Sequence, residues 1–320
     1  MVGVLAFGEI LIRIPIDFEG FDNKKPIYWG GAEANALCAM SRLGSKTRFI
    51  SKVPNNNMGN FALKNLDKYK IDASFIVKGG DRIGLYYYAP PHNYMQGEVI
   101  YDRKYSAIHT LKKIEIDKKK LFADMDIFYV SGISLALEGC REAVLDLWDY
   151  AKSHNIKTMF DVNYRSKLWS IKEAKPVIAK FMAESDILFA NSFDFKNFLD
   201  ISNNSEENLY KEAASKYGIS HIASLQRQKV SYNEYEISGI LCSPQNFIRT
   251  QNYKTTIIER IGGGDCFVAG ILHGIFNSSE NTADDAVKLV LMKYSMPGDV
   301  YLGSAEDYSA NLSASSDVKR

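Results

Sequence analysis

The sequence predicts an α/β fold: a central, mostly parallel β-sheet covered by helices on both faces, with a small β-strand lid. Three observations carry that prediction. Short apolar runs alternate with longer stretches of helical period, the pattern of successive βαβ units. Several runs end in polar residues, Asp161, Asn163, Asn191 or Ser192, and ligands of open α/β sheets sit at that carboxyl edge. Two stretches, 10–30 and 82–107, are rich in Tyr, Ile and Pro and lack a long helical period, so they read as additions to the sheet-and-helix rhythm.

Taken in order, the apolar runs predict central strands over 2–7, 48–53, 127–131, 158–161, 187–190 and 221–224, with 225 as an alternative end for the last. Helical stretches fall between them at 34–43, 58–69, 139–153, 173–182 and 206–217. Another begins after Asp265, where Phe267, Ile271, Gly274 and Ile275 recur at spacings of three and four. The 82–107 stretch reads as two strands, 83–89 and 98–103, around a Pro90-Pro91-His92-Asn93 turn region. An antiparallel flap of that kind suits a lid over a cleft. A single domain over 1–312 follows, with lid strands from about 10–30 and 82–107. The Ser/Ala-rich tail from Ser309 is expected to fray, and 313–320 to be disordered.

A chain of 320 residues that is 46% hydrophobic can bury a large core. Its net charge of +1 argues against nucleic-acid or membrane-surface binding through bulk electrostatics, so any bound anion must be held by local geometry. Lys118, Lys119 and Lys120 form the longest basic run, read as a solvated helix end. Cys38, Cys140, Cys242 and Cys266 lie far apart, and with five histidines and no His/Cys cluster a structural zinc site is not expected. The first residues lack a basic region, a cleavage site and the length of a membrane span, which predicts a soluble, reducing, cytoplasmic setting.

The most informative segment is Gly262-Gly263-Gly264-Asp265 at a helix start. Unshielded glycine amides and the helix dipole make an anion site. A carboxylate belongs beside such a site if it takes a proton from a group reacting with the anion, which points to phosphoryl transfer with Asp265 as general base. The alternative is a flexible turn followed by an Asp cap. Gly30-Gly31-Ala32-Glu33-Ala34-Asn35 precedes a helix of small residues, and Asn35 offers a donor and an acceptor for hydroxyls; a tight turn alone would also explain it. On the flap, Tyr86 and Tyr88 share one face, as do Tyr101 and Arg103. Arg103, and Arg165 in Asp161-Val162-Asn163-Tyr164-Arg165, are candidates for a carboxylate-bearing ligand, or ordinary surface arginines. Asn191-Ser192-Phe193-Asp194 suits either a water-bound Mg²⁺ near phosphates or a helix cap.

Together these segments resemble the ribokinase-like (phosphofructokinase B type) carbohydrate kinases over most of residues 3–310. The first glycine segment is similar to that family's N-terminal substrate motif. Arg260 to Phe267 is similar to its C-terminal signature. Arg82-Ile83-Gly84-Leu85-Tyr86-Tyr87, Ile100-Tyr101-Asp102-Arg103 with Ser106-Ala107, and Asp161 to Arg165 with Leu168-Trp169 look most like 2-keto-3-deoxygluconate kinases. The resemblance implies a ribokinase-like three-layer sandwich and ATP-dependent phosphorylation of the sugar acid's 6-hydroxyl. It implies Asp265 as base and Gly262, Gly263 and Gly264 as anion hole, with Gly31, Glu33, Asn35, Tyr86, Tyr101, Arg103 and Arg165 on the sugar acid. Asn163, Asn191, Gly262 and Gly264 would lie on the nucleotide and phosphate side. Asp194 would touch Mg²⁺ indirectly, and the family leaves room for a monovalent cation. Three departures stand out: residues 223–229 contain no glycine where the family often has Lys-x-Gly-x-x-Gly, Asp194 replaces a Glu, and Glu259 replaces an Asp. A kinase for a neutral sugar or nucleoside, and a non-catalytic sugar-acid sensor, are the rival readings. The Tyr-rich flap face suits pairing with a second copy of the chain.

Overall fold

Strands Gly3–Phe7, Ile127–Ser131, Lys157–Asp161 and Ile187–Phe189 are apolar runs, and each is buried on both faces. Side chains alternate along a strand, so such a run must feed two cores at once. Val4, Ala6, Ile127, Tyr129 and Met159 enter one core; Leu5, Phe7, Phe128, Val130 and Phe160 enter the other. The result is a three-layer sandwich, seen in a computed structural model that describes residues 2–17, 20–21, 26–91 and 96–313.

The central sheet has nine strands. Six are parallel, running from Lys46–Ile50 through Gly3–Phe7, Ile127–Ser131, Lys157–Asp161 and Ile187–Phe189 to His221–Lys229. An antiparallel margin of Glu234–Cys242, Phe247–Arg249 and Tyr253–Thr256 follows. On one face, helices Ala32–Arg42, Gly263–Phe276 and Thr282–Tyr294 pack in series. Gly270 and Gly274 permit the closest of these contacts: a Cβ on either would stand within 2.7 Å of an atom of the Thr282–Tyr294 helix. The opposite face carries Arg141–Ser153, Ile171–Glu184 and Glu206–Tyr217.

A second sheet of five strands forms the lid. The expected flap strands occur as Gly84–Ala89 and Glu98–Asp102, paired antiparallel. The lid as a whole is mixed rather than antiparallel, because Gly84–Ala89 pairs in parallel with Leu11–Asp17. The turn residues His92 and Asn93 lie outside the described residues.

Other expectations shift for local reasons. The 48–53 run divides: Lys46–Ile50 joins the main sheet, whereas Lys52–Val53 pairs with Val77–Lys78. The strand expected to end at 224 or 225 continues to Lys229, because Glu234–Cys242 pairs with it along its length. The stretch from Ser309 does not fray immediately. It belongs to helix Ala305–Ser313, capped by reciprocal bonds between Ser304 and Asp307 and anchored by buried Tyr308. The tail expected to be disordered lies outside the described residues, apart from Ser313.

Trp148 is the largest fully buried side chain and packs against Phe128, Phe160 and Phe181. Trp148→Ala is expected to cost roughly 3–5 kcal/mol of unfolding free energy, measurable by denaturant titration.

Candidate active site

The carboxyl ends of the parallel strands open into a cleft of about 1820 Å³ that the lid also lines. Every site residue expected from the sequence faces this cleft except Gly263. Gly263 lies beneath the floor, where a Cβ would stand 2.3 Å from the Tyr294 ring.

The glycine run does not end in an Asp cap. Gly262 is the N-cap, at φ 85°, and Asp265 is the third residue of helix Gly263–Phe276. A side chain at Gly262 would strain that backbone and would meet the Asp299 carbonyl at 1.9 Å. The helix's first backbone bond runs from the Cys266 N–H to the Gly262 carbonyl, so the amides of Gly263, Gly264 and Asp265 have no intrahelical acceptor. Gly264 is exposed, and a Cβ there would meet nothing within 4 Å. Anion-binding geometry thus opens directly onto the cleft.

A second helix start converges on the same point. Gly31 passes so close to strand-end residue Glu9 that a Cβ would lie 2.1 Å from the Glu9 carbonyl. That approach directs helix Ala32–Arg42 so that Asn35 Nδ2 donates to Asp265 Oδ2 at 2.8 Å. Asn35 Oδ1 is buried and has no hydrogen-bond partner among the described residues. Burial lifts Asp265 to about 7 against the opposing effects of Asn35 and Arg165; the Glu33 and Asp299 charges add to the rise. Neighbouring Asp161 is pushed to about 8 by burial and then by the Asp265 charge.

The lid residues are tied inward. Tyr86 donates to Asp299, and the Tyr101 ring lies 6.1 Å from that of Tyr86. Arg103 is buried and paired with Glu9, whose other oxygen accepts from Ser106 Oγ. Its charge is therefore neutralised within the protein. Glu33 Oε1 accepts from the Ser131 N–H and from Ser131 and Ser134 Oγ. Arg165 differs: it is exposed in the cleft and forms no ion pair among the described residues.

Elsewhere along the cleft lining, Asn163 adopts φ 36°, a left-handed value that Asn tolerates better than most residues. Asn191 caps helix Ser192–Phe198, and Asp194 Oδ2 accepts from the Asn191 N–H at 2.9 Å. Burial raises Asp194 to about 6. Among the described residues, no cluster of three or more His, Cys, Asp or Glu could hold a metal. Arg227 and Arg260 both line the cleft and are exposed, and neither has an ion pair among the described residues. Partial desolvation of the guanidinium within the cleft, followed by repulsion from Arg227, lowers the Arg260 pKa. Two neighbouring cations with no counter-charge suit a polyanion.

The pfkB family carbohydrate kinase profile matches residues 23–291. The chain belongs to this family. It is a phosphotransferase with an alcohol group as acceptor. A 2-dehydro-3-deoxygalactonokinase of Haloferax volcanii is 28% identical over 274 residues, covering 84% of this chain and 83% of the relative. A 5-dehydro-2-deoxygluconokinase of Bacillus subtilis is 26% identical, covering 86% and 85%. Among solved structures, 2-dehydro-3-deoxygluconokinase from Thermotoga maritima superposes with a TM-score of 0.91 at 28% identity, covering 98% and 100%. A pfkB family kinase from Listeria grayi gives 0.91 at 30%, covering 96% and 98%.

Sequence reasoning gave no site role to Asp161 or Arg260, although it named both within motifs, and it missed Asp299 of the kinase's cleft altogether. Asp161 stood at a strand's carboxyl end, a usable signal. Asp299 carried none, since its role depends on contacts with Arg13 and Tyr86.

An acid whose folded pKa exceeds its unfolded value contributes stability at low pH, which is lost as pH rises from 3.8 toward about 7. Asp265→Asn should therefore raise the thermal midpoint above pH 7 and give no such gain below 3.8, as scanning calorimetry across pH would reveal.

Proposed function

We propose that the kinase transfers the γ-phosphoryl group of ATP to the 6-hydroxyl of 2-keto-3-deoxygluconate. The observation that carries this reading is Asp265, tethered by Asn35 and lifted to about 7, beside the open glycine amides. A base is most effective with a pKa near the working pH. The relatives support the acceptor class: they are named as kinases of 2-dehydro-3-deoxy and 5-dehydro-2-deoxy sugar acids.

In this reading Asp265 accepts the hydroxyl proton as the acceptor oxygen attacks phosphorus in line. Asn35 Nδ2 keeps the carboxylate aimed, while its unpaired Oδ1 accepts from another sugar hydroxyl. The free amides of Gly264 and Asp265, which line the cleft, stabilise charge on the transferring group, the dominant contribution in this chemistry. Arg227 and Arg260 hold the phosphate chain, replacing the glycine-bearing segment that 223–229 lacks. Asn163 and Asn191 line the nucleotide side. Asp161 and Asp194 face the cleft and would be the residues to hold Mg²⁺, whose charge would offset the burial that raises their pKa values. When bound, Mg²⁺ would offset negative charge between the terminal phosphates.

A sugar acid is favoured over a neutral sugar by Arg165. Arg103 is already neutralised by Glu9, which makes Arg165 the candidate cation for the substrate carboxylate, and Tyr101 also lines the cleft.

An ATP-consumption assay over keto-deoxy acids, hexoses and nucleosides should single out 2-keto-3-deoxygluconate; a preference for fructose or a nucleoside would overturn the reading. Asp265→Asn should lower kcat by at least ~100-fold with little change in sugar binding, which steady-state kinetics and calorimetry would separate. Arg165→Ala should weaken the sugar acid by about 10- to 100-fold in KM, the loss of one charged hydrogen bond, and affect a neutral ketose far less.

A further inference from the structure

Lys293 lies in the last turn of helix Thr282–Tyr294 and is fully buried, yet its ammonium faces carbonyl oxygens instead of a carboxylate. Nζ donates to the Gly298 carbonyl at 2.8 Å and to the Met296 carbonyl at 3.2 Å. Lysine is almost never fully buried unless paired, because desolvating the charge is costly. Burial accordingly lowers its pKa, while the nearby Cys266, Glu259 and Asp299 favour the charged form and Arg13 opposes it.

The position gives the charge a purpose. A Cβ on Gly262 would lie 3.1 Å from Lys293 Cε and 1.9 Å from the Asp299 carbonyl, so the lysine stem directly underlies the glycine turn. The end of the same helix holds the segment leading into the turn: the Tyr294 carbonyl accepts from the N–H groups of Ile258 and Glu259, at 2.9 and 3.1 Å. Glu259 Oε1 then accepts from the Ile261 N–H at 3.1 Å. Converging carbonyls beside carboxylates form the oxygen-donor set of a K⁺ or NH₄⁺ site. Here a covalently attached ammonium already occupies that centre, so these residues do not fit an exchangeable monovalent cation.

We propose that Lys293 is a built-in cation. It is a positioning residue that holds the 296–299 loop beneath Gly262, aims the anion-hole amides, and makes the protein independent of added K⁺ or NH₄⁺. Its catalytic consequence rests on the kinase reading above; its cation chemistry does not.

The test compares the intact protein with Lys293→Ala and Lys293→Met in K⁺, NH₄⁺ or tetramethylammonium chloride at matched ionic strength. The wild-type thermal midpoint should be the same in all three salts. Lys293→Ala should unfold earlier and recover saturably with K⁺ or NH₄⁺, but not with the bulky cation. Lys293→Met, which keeps the stem and loses the charge, should show no recovery. In turnover, Lys293→Met should lose about 100-fold in kcat with KM for the sugar acid little changed, as expected when the reacting groups are misplaced. NH₄⁺ should restore part of the kcat of Lys293→Ala, which a purely packing role would not allow. A wild-type midpoint or kcat raised specifically by K⁺ or NH₄⁺ overturns the proposal, as does a folded Lys293→Ala protein indifferent to every cation. If the alanine variant does not fold, the wild-type salt comparison and the methionine variant decide. If the wild type phosphorylates nothing in the panel, the kinase reading fails, and the midpoints still decide the role of Lys293.

Discussion

Keeping one carboxylate basic among other carboxylates is the constraint around which this site is built. Asp265 lies in the field of Glu33 and Asp299 and in turn raises Asp161. Without compensation, burial and repulsion would leave it protonated at neutral pH. The Asn35 hydrogen bond and the Arg165 charge act in the opposite direction and hold it at about 7. Each comes from a different part of the chain, which is why two helix starts and a strand end must meet at one point.

The cations beneath the site follow from the same balance. Arg13 bridges Glu259 and Asp299 and lies over the Tyr88 ring, with its centre 4.3 Å from the ring centroid. Lys293 lies under the adjacent turn. A buried ion pair contributes little net stability, because desolvation offsets most of the attraction. Its effect here is geometric: Arg13 belongs to lid strand Leu11–Asp17, so the bridge joins the lid to the turn that carries the glycines. Arg103 and Glu9 make a second such link, between the lid and the end of the first central strand. The lid is therefore a covalent neighbour of the sheet that is also electrostatically fastened to the reacting end of the cleft.

Much of this was legible in advance where the physics is local. The apolar runs at 127–131 and 187–190 form strands because a buried parallel strand needs apolar residues on both faces, and that requirement is visible in four or five consecutive letters. The helix over 206–217 was equally plain. Gly262 and Asp265 stood out because a glycine run beside a carboxylate suits either an anion site with a base or a capped turn, and the helix start that the structure shows makes Gly262 the cap. By contrast, the extension of strand His221–Lys229 depends on a partner strand that begins only at Glu234. Helix Thr282–Tyr294 carries Asp284, Asp285 and Lys288 among its apolar residues, and its burial is defined by the glycine-faced helix it packs against.

The chain's letters alone carried the fold class, the two glycine turns and a candidate for the base, since each arises from periodicity or from backbone freedom within a few residues. They could not assign charge. Arg103 and Arg165 look alike in sequence, yet one is neutralised by Glu9 and the other is left facing the cleft. Lys293 reads as an ordinary helix-end lysine until the loop after it folds back and offers two carbonyls. Electrostatic roles depend on what stands opposite a group in space, and for this protein those partners lie on remote segments that only folding brings together.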